Sequence, residues 1–417
     1  MPNRTAATST GSRFIALRYR NFRLLWFGQL VSMSGSTMQT AAILWHVSLL
    51  VPDNLKGLAL GFVGLTRVVP IVIFSMVSGV VADALDRRKL MLVTQSAMAL
   101  VAAALAFMTQ RGLASVWPVY ALAALGSAAG AFDGPARQSL IPNLVRREHL
   151  ANAISLNTMM FQFASVAGPS MAGIVIASRG VGWVYALNAL SFLMVILALA
   201  LMRDVPEVPD SDKSSISLGA ALEGLRFVFS SPMIRSTMLL DFFATFFSSA
   251  TALLPIFAQD ILRVGAKGYG WLYAAPSIGA LLASVSIVGF LDRMKKRGAV
   301  LLWAIAGYGL ATAIFGFSRV FSLTFVALAL TGATDTVSMV LRNIIRQLET
   351  PDHLRGRMIG VNMLFYMGGP QLGEMEAGLV ANWLGAPFSV VSGGIGCIIA
   401  TAWIAARTPE LPRYHGH

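Results

Sequence analysis

Long apolar segments recur along the whole sequence, and they decide what kind of protein it encodes. Of the 417 residues, 56% are hydrophobic and only 12% are charged, whereas a soluble protein carries about 25% charged residues. Each segment reaches the roughly 18 residues that a helix needs to cross a bilayer. A large soluble helical protein would show polar faces on its helices, and these segments mostly lack them. The sequence therefore predicts an all-α integral membrane protein.

Twelve such segments can be placed between short polar breaks. The predicted spans are 22–48, 57–83, 90–110, 115–138, 151–177, 182–202, 233–259, 267–290, 299–318, 322–347, 356–381 and 386–406. The longest polar stretch lies between the sixth and seventh spans and divides the chain into halves. The expected organisation is a tail at 1–21, a six-helix bundle at 22–202, a linker at 203–232, a second six-helix bundle at 233–407 and a tail at 408–417. Within the linker, 218–229 is typical of an amphipathic helix on the membrane surface.

Basic residues are distributed unequally between the two sides of this predicted topology. Of the 32 lysines and arginines, 25 fall in the termini and loops of one side and six fall on the other. Because positively charged loops stay in the cytoplasm, both termini are predicted to be cytoplasmic, in a multi-pass protein of the cell (inner) membrane. The formal net charge of +13 has the same explanation, so we expect no nucleic-acid partner.

Several kinds of chemistry find no support in the sequence. No Gly-Lys dipeptide occurs, which excludes a P-loop of the GxxxxGK[ST] type. The single cysteine, Cys397, excludes an intrachain disulfide and a cysteine-based metal site. Residues 1–13 contain no apolar core of a signal peptide, so none is expected. No metal-ligand spacing or nucleophile–base arrangement stands out, and we expect no cofactor, no metal and no enzymatic activity.

The two halves resemble each other at an offset of about 205 residues. The matched pairs in the fifth and eleventh spans are Asn157 with Asn362, Gly168 with Gly373, and Gly173 with Gly378. The fourth and tenth spans share a Gly-Ala-x-Asp sequence that ends at Asp133 and at Asp335. Two similar halves around a ligand site at the midplane are typical of secondary transporters.

Three motifs resemble those of a known family of transporters. They are the loop motif Gly79-x-x-x-Asp83-x-x-x-Arg87-Arg88 after span two, Gly168-Pro169-x-x-Ala172-Gly173 in span five, and Phe132-Asp133-Gly-Pro-Ala-Arg137-Gln138 at the end of span four. Together they resemble the major facilitator superfamily, and the third is similar to its enterobactin-exporter-like, or transmembrane secretion effector, group. In the loop motif, Ala84 and Asp86 stand where the family usually has a basic residue and a glycine.

The resemblance implies two pseudo-symmetric six-helix bundles that rock around a central cavity, and the span-five motif is associated with exporters. In the loop motif, Asp83 with Arg87 and Arg88 is expected to form a latch on the cytoplasmic face, with Asp292 in its partial copy after span eight. The alternative is that the arginines only set the topology.

Polar residues within the apolar spans are candidates for lining a substrate cavity. They are Gln29, Ser36, Gln39, Arg67, Asn157, Gln162 and Asn362. Span one is unusually polar, which favours a cavity-lining helix, and interhelical hydrogen bonds are the alternative. Arg67 lies near the middle of span two, where a cation costs at least about 2.5 kcal/mol unless it is paired or hydrated. Its expected role is to attract an anionic substrate, to balance a proton-carrying carboxylate or to form a structural ion pair.

Carboxylates within the spans are candidates for binding a coupling proton. They are Asp133, Asp241, Asp335, Glu374 and Glu376. Asp133 and Arg137 lie one helical turn apart, which predicts a local ion pair. The two glutamates replace Pro169 and Met171 of the first half, and acids that break the symmetry suit coupling better than symmetric ones.

These features predict a secondary active transporter that exports a small organic molecule, such as a siderophore, a drug or a metabolite, by proton antiport. Its expected partners are that substrate, protons and the lipid bilayer, and we expect a monomer. Two alternatives remain open. One is a receptor or regulatory partner that no longer transports, and the other is a membrane-embedded lipid-modifying enzyme, for which no catalytic cluster is found.

Overall fold

The chain folds into helices joined by short turns in a computed structural model that describes residues 14–203, 218–290, 294, 296–351 and 354–415. The helices are α1 (Arg20–Leu50), α2 (Lys56–Ala84), α3 (Arg87–Gln110), α4 (Trp117–Leu144), α5 (Leu150–Arg179), α6 (Val181–Leu201), α7 (Leu218–Ser230), α8 (Pro232–Phe247), α9 (Leu254–Ile256), α10 (Gly265–Phe290), α11 (Arg297–Phe317), α12 (Phe321–Glu349), α13 (Arg355–Leu384) and α14 (Ala386–Arg407).

Nine helical stretches among the described residues are long and apolar enough to cross a membrane. Three further helices, α1, α4 and α13, are as long but fall outside these nine. Their sequences contain several polar residues, such as Gln29 and Gln39 in α1. Polar side chains on a helix of this length are stable in a membrane where they face other helices or a cavity.

The helix boundaries follow from local chemistry. Asp86 caps the N-terminus of α3, because its side chain accepts hydrogen bonds from the backbone N–H groups of Arg88 and Lys89. Gly180 separates α5 from α6 with φ 88°, and Gly385 separates α13 from α14 with φ 89°. Positive φ angles favour glycine. These two glycines are related by the offset of 205 residues that the sequence repeat predicts.

The helices pack as two groups. In the first, α1 packs against α5 and α6, α2 packs against α4, and α3 packs against α4 and α6. In the second, α10 packs against α12, α11 against α12 and α14, and α8 against α13 and α14. The amphipathic α7 belongs to the second group, since its buried Val228 is part of one hydrophobic cluster with Ile234 and Met238 of α8 and Met358 of α13. The two groups meet mainly where α2 contacts α13 and where α5 contacts α10.

The predicted seventh span differs from a single helix. After α8 ends at Phe247, the chain continues as a 3-10 turn, the short α9 and a π-helical turn at Phe257–Ile261. The hydroxyl of Ser249 donates to the carbonyl oxygen of Thr245 at 2.5 Å, and such bonds bend helices. Pro255 follows and has no N–H to donate. Serine and proline therefore interrupt a segment whose apolar composition predicts one continuous span.

Candidate functional site: a cavity in the first group of helices

We name the two ends of the molecule after Lys56, the first residue of α2, and Arg87, the first residue of α3. The Lys56 end holds the start of α2 and the ends of α1 and α5, and the Arg87 end holds the start of α3. At the Lys56 end, glycines bring the two groups of helices into close contact. A Cβ on Gly378 of α13 would lie 2.5 Å from the carbonyl oxygen of Gly57 and 2.7 Å from Cα of Gly61. A Cβ on Gly173 of α5 would lie 2.9 Å from Cα of Gly270 in α10.

Polar side chains also join the two groups at the Lys56 end. The Nζ atom of Lys56 lies 3.2 Å from Oδ2 of Asp260, which belongs to the π-helical turn, and 2.8 Å from Oδ1 of Asp53. The amide of Gln259 donates to the hydroxyl of Ser48 at 2.7 Å. Tyr269 of α10 donates to the carbonyl oxygen of Ala41 in α1 at 2.7 Å. We call the contacts of Lys56, Gln259 and Tyr269 the cross-group bonds.

A cavity of about 670 Å³ lies among α1, α2, α3, α4 and α6. Three of the predicted residues, Ser36, Gln39 and Arg67, line it. Its further polar lining residues are Thr40, Ser78, Ser127, Arg137, Gln138 and Asn188. Their apolar neighbours include Ile43, Val63, Ile71, Met98, Val101 and Phe192.

Four other predicted lining residues lie outside this cavity. Gln29 is buried, and its Oε1 atom accepts a hydrogen bond from Arg137 at 3.4 Å. Asn157 and Gln162 of α5 and Asn362 of α13 are half-buried and are not among the cavity residues. The cavity is built by the first group of helices, whereas these three side chains belong to helices that do not line it.

Asn188 is a lining residue that sequence reasoning missed. It is buried in α6, and its side-chain amide donates to Oε1 of Gln39 at 2.9 Å. The available signal was one amide in a helix that is otherwise almost wholly apolar. Arg137 was also missed as a lining residue, because its position near the end of α4 suggested a loop charge.

The local ion pair predicted between Asp133 and Arg137 is wrong. The carboxylate of Asp133 instead accepts hydrogen bonds from Gln95 at 2.8 Å and from Thr94 at 3.2 Å. Both donors belong to α3, which packs against α4. Arg137 turns to Gln29 of α1, so neighbouring helices supply partners for both side chains and the spacing along one helix does not decide the pairing.

Two arginines hold a buried acid in the second group of helices. Asp241 of α8 lies 3.1 Å from Nη2 of Arg342 and 3.1 Å from Nη2 of Arg346. Arg342 also lies 3.3 Å from Asp335, and Arg346 donates to the carbonyl oxygen of Thr237 at 2.8 Å. Asp241 and both arginines are almost completely buried. The predicted candidates Asp241 and Asp335 are therefore both paired with arginine.

Glu374 has a different environment. It is buried in α13, and its Oε2 atom has no hydrogen-bond partner. It faces the other group of helices, because a Cβ on Gly64 of α2 would lie 3.0 Å from that oxygen. Arg67, one turn further along α2, interacts with it electrostatically. The neighbouring candidate, Glu376, is half-buried.

The arginines of the loop motif contact carbonyl groups at helix ends. Arg87 donates to the carbonyl oxygen of Ser139 in α4 at 2.9 Å. Arg88 donates to those of Leu199 and Ala200 at the end of α6, at 2.7 and 3.1 Å. Unpaired carbonyls at helix C-termini favour cations. The surroundings of Gly79, the side chain of Asp83 and the whole of Asp292 lie outside the described part of the chain.

The glycine and proline of the span-five motif lie at helix contacts. Gly168 packs against α1, where a Cβ would lie 2.7 Å from the carbonyl oxygen of Ser34. Pro169 is buried, and its carbonyl oxygen would lie 2.6 Å from a Cβ on Gly270. With Gly173, the motif therefore forms the contact of α5 with both α1 and α10.

Comparison with known proteins decides the family. The model of the transmembrane secretion effector family matches residues 11–415. The chain belongs to this family of the major facilitator superfamily. The resemblance predicted from the motifs is thereby confirmed, and the chain is a multi-pass transporter of the cell (inner) membrane and not an enzyme.

Curated relatives and solved structures agree with this assignment. The enterobactin exporter EntS of Shigella boydii is 28% identical over 370 residues, which cover 89% of this chain and 85% of the relative. The multidrug efflux pump Tap of Mycolicibacterium fortuitum is 29% identical over 375 residues, covering 87% and 89%. An inward-facing, unoccupied bacterial homologue of the human lysosomal transporter Spinster has a TM-score of 0.71 at 16% identity, covering 95% and 98%. That likeness shows the fold.

Proposed function

We propose that this transmembrane secretion effector is a secondary active exporter of a small organic molecule, that it works by alternating access and that proton antiport drives it. The observation that carries the proposal is a cavity lined by polar and apolar side chains of the first group of helices, together with close packing of the two groups at the Lys56 end. A transporter of this kind needs a binding site and an end that opens and closes.

The proposed topology has twelve spans, namely the nine apolar stretches with α1, α4 and α13. The excess of basic residues favours a cytoplasmic location for the Arg87 end and for both termini. The described conformation is then closed towards the outside. In the other conformation the cross-group bonds break, and the latch of Asp83 with Arg87 and Arg88 is proposed to hold the cytoplasmic end closed. Since the cavity lies within one chain, we propose a monomer.

Two observations support the proposed direction of transport and the proposed substrate class. The two curated relatives are an enterobactin exporter and a multidrug efflux pump, and the Gly168-Pro169 motif resembles that of exporters. A volume of about 670 Å³ lies within the roughly 300–1,000 Å³ of sites that bind drug-sized ligands. A siderophore, a drug or a metabolite all fit this size class.

Among the five candidate acids, Glu374 has the environment best suited to carry the coupling proton. Asp241 and Asp335 are paired with arginine, and Asp133 is held by two donors of α3. Glu374 is buried with one oxygen free of hydrogen bonds and lies at the contact between α2 and α13. Its protonation state therefore affects a contact that alternating access must break.

Reconstituted vesicles test the proposal. Proteoliposomes are loaded with a pH-sensitive dye, and enterobactin and a panel of antibiotics are offered as substrates. We expect proton movement that depends on the addition of substrate. Glu374→Gln is expected to abolish it. Glu376→Gln is the matched control and should change the rate of proton movement by less than about twofold. Substrate efflux that survives complete collapse of the proton gradient contradicts the coupling. Absence of transport for every compound favours the receptor alternative.

A further inference from the structure

We propose that the cavity selects an amphiphilic organic anion, and that Arg67 and Arg137 bind its acidic group. This inference rests on the proposed export function and names the substrate class of the same cavity. It depends on which charges line the cavity, on how those charges are paired and on what surrounds them.

The lining carries positive charge from two helices. Arg67 reaches the cavity from α2 and Arg137 reaches it from α4. Among the described residues that line it, none is an aspartate or a glutamate. The formal charge of this lining is therefore positive, and a negatively charged ligand is favoured over a cationic one.

Neither arginine has a strong partner in the described parts of the chain. The one hydrogen bond of Arg137 goes to Gln29 at 3.4 Å, which is long for a bond from a cation. Arg67 forms no hydrogen bond or ion pair with a described residue and interacts electrostatically with Glu374 across the contact between α2 and α13. Arginines within membrane spans are normally paired. Arg67 and Arg137 are half-buried and have donors left for a ligand.

The nearby acids do not line the cavity. Asp133, one turn before Arg137, is buried and directed to Gln95 and Thr94 of α3. Glu374 lies on α13, which contributes no residue to the cavity. An ionised Glu374 weakens the field of Arg67 but leaves that of Arg137. In the second group of helices the comparable arginines, Arg342 and Arg346, are paired with Asp241.

The rest of the lining fits a molecule with an apolar body. Amide and hydroxyl groups of Gln39, Gln138 and Ser36 offer hydrogen bonds, whereas Met98, Phe192 and other apolar side chains cover much of the wall. A planar guanidinium binds a carboxylate through two parallel hydrogen bonds. The arrangement therefore suits an aromatic or aliphatic acid more than a small inorganic anion.

Equilibrium binding to the purified full-length protein in lipid nanodiscs tests the inference without requiring transport. Three probes share one fluorescent body: 9-anthracenecarboxylate, 9-anthracenecarboxamide and 9-(aminomethyl)anthracene as the cation. Fluorescence anisotropy gives the dissociation constant of each. We expect the carboxylate to bind about tenfold more tightly than the amide, a difference of about 1.4 kcal/mol, because hydrogen bonds between two charged groups are stronger than those to a neutral amide. The cation is expected to bind most weakly.

Variants locate the preference. We expect Arg67→Gln and Arg137→Gln each to weaken carboxylate binding severalfold with little change for the amide, and the double variant to remove the preference. Arg67→Lys is expected to keep most of it, which separates charge from packing. Arg179→Gln is the matched control, because Arg179 is exposed at the end of α5 and contacts the ring of Trp183.

Three outcomes overturn the inference. They are equal dissociation constants for the three probes on the unaltered protein, a carboxylate preference that persists in the double variant, and no saturable binding of the carboxylate. The proposed export function fails in a different way. A protein that prefers the carboxylate but moves no substrate in proteoliposomes retains the inference and loses the export proposal. Active export by an unaltered protein that binds the three probes with equal dissociation constants does the reverse.

Discussion

Replacing Lys56 is expected to open the Lys56 end, because its ion pair with Asp260 joins the two groups of helices. The Nζ atom lies 3.2 Å from Asp260, whose side chain is 46% exposed, and 2.8 Å from Asp53, whose side chain is 94% exposed. Asp53 belongs to the same group of helices as Lys56, so this second pair is kept when the end opens. Of the two ion pairs of Lys56, only that with Asp260 differs between the proposed conformations, and only a differential interaction shifts their ratio.

The size of the shift follows from the exposure of the pair. Exposed ion pairs contribute about 0.2–1 kcal/mol. Lys56 is buried, which favours the upper end, whereas the half-exposed Asp260 lets solvent screen the interaction. We therefore assign about 1 kcal/mol to the pair. Lys56→Met is expected to raise the population open at the Lys56 end by about fivefold.

Thiol labelling measures this population. Cys397 is the only cysteine of the sequence and is buried, so Ser36→Cys in a Cys397→Ala background creates a single reactive position in the cavity. A membrane-impermeant maleimide is added to intact cells, and the initial rate of labelling reports opening to the outside. We expect Lys56→Met to raise the rate about fivefold.

Two further variants decide whether the ion pair is the cause. The double variant Lys56→Asp with Asp260→Lys exchanges the two charges and restores their attraction. It is expected to return the labelling rate towards that of the unaltered protein. Asp53→Asn is the matched control and should change the rate less than twofold. A rate that is unchanged in Lys56→Met, or that rises equally in Asp53→Asn, refutes the reasoning.

Three other predictions concern stability, measured as the free energy of unfolding in SDS titrations. Gly378→Ala is expected to cost about 1–3 kcal/mol, because its Cβ would lie 2.5 Å from a backbone oxygen of α2. Gly130→Ala, with open space around it, should be neutral or stabilising. Equal losses of stability in the two variants would contradict the argument. Asp241→Asn is expected to cost about 3–5 kcal/mol, because two buried arginines lose their shared carboxylate; Asp335→Asn, whose side chain is 41% exposed, should cost clearly less. Asp86→Ala removes the cap of α3 and should cost about 1 kcal/mol, and no measurable loss would show that the cap is dispensable.

The sequence predicts helices well, because apolar length and helical structure are strongly linked in a membrane chain. It also predicts the repeat, since the paired glycines Gly173 and Gly378 lie at corresponding contacts between the two groups of helices. Each is part of a contact where a side chain would collide with the facing backbone. The interruption after Phe247 was not predicted, because a few serine and proline residues act against an otherwise uniform apolar pattern.

The sequence predicts the partners of polar side chains less well than it predicts the helices. Asp133 and Arg137 have the spacing of an ion pair along one helix, yet each bonds to a different neighbouring helix. The helix that packs against each side chain is set by tertiary packing, and the spacing of residues along one helix does not reveal it. The same applies to Asn188, whose position in the cavity depends on the rotation of α6 about its own axis.

The glycine contacts between the two groups of helices have a consequence for the speed of transport. Interlocked side chains give helix contacts ridges and grooves, and moving one helix past another then requires discrete jumps between packings. Where Gly57, Gly61 and Gly378 meet, the facing surfaces are smooth backbone. In the proposed alternating access, we expect such surfaces to let α2 and α13 roll on each other with a small activation barrier, so that a step other than this conformational change limits the turnover rate.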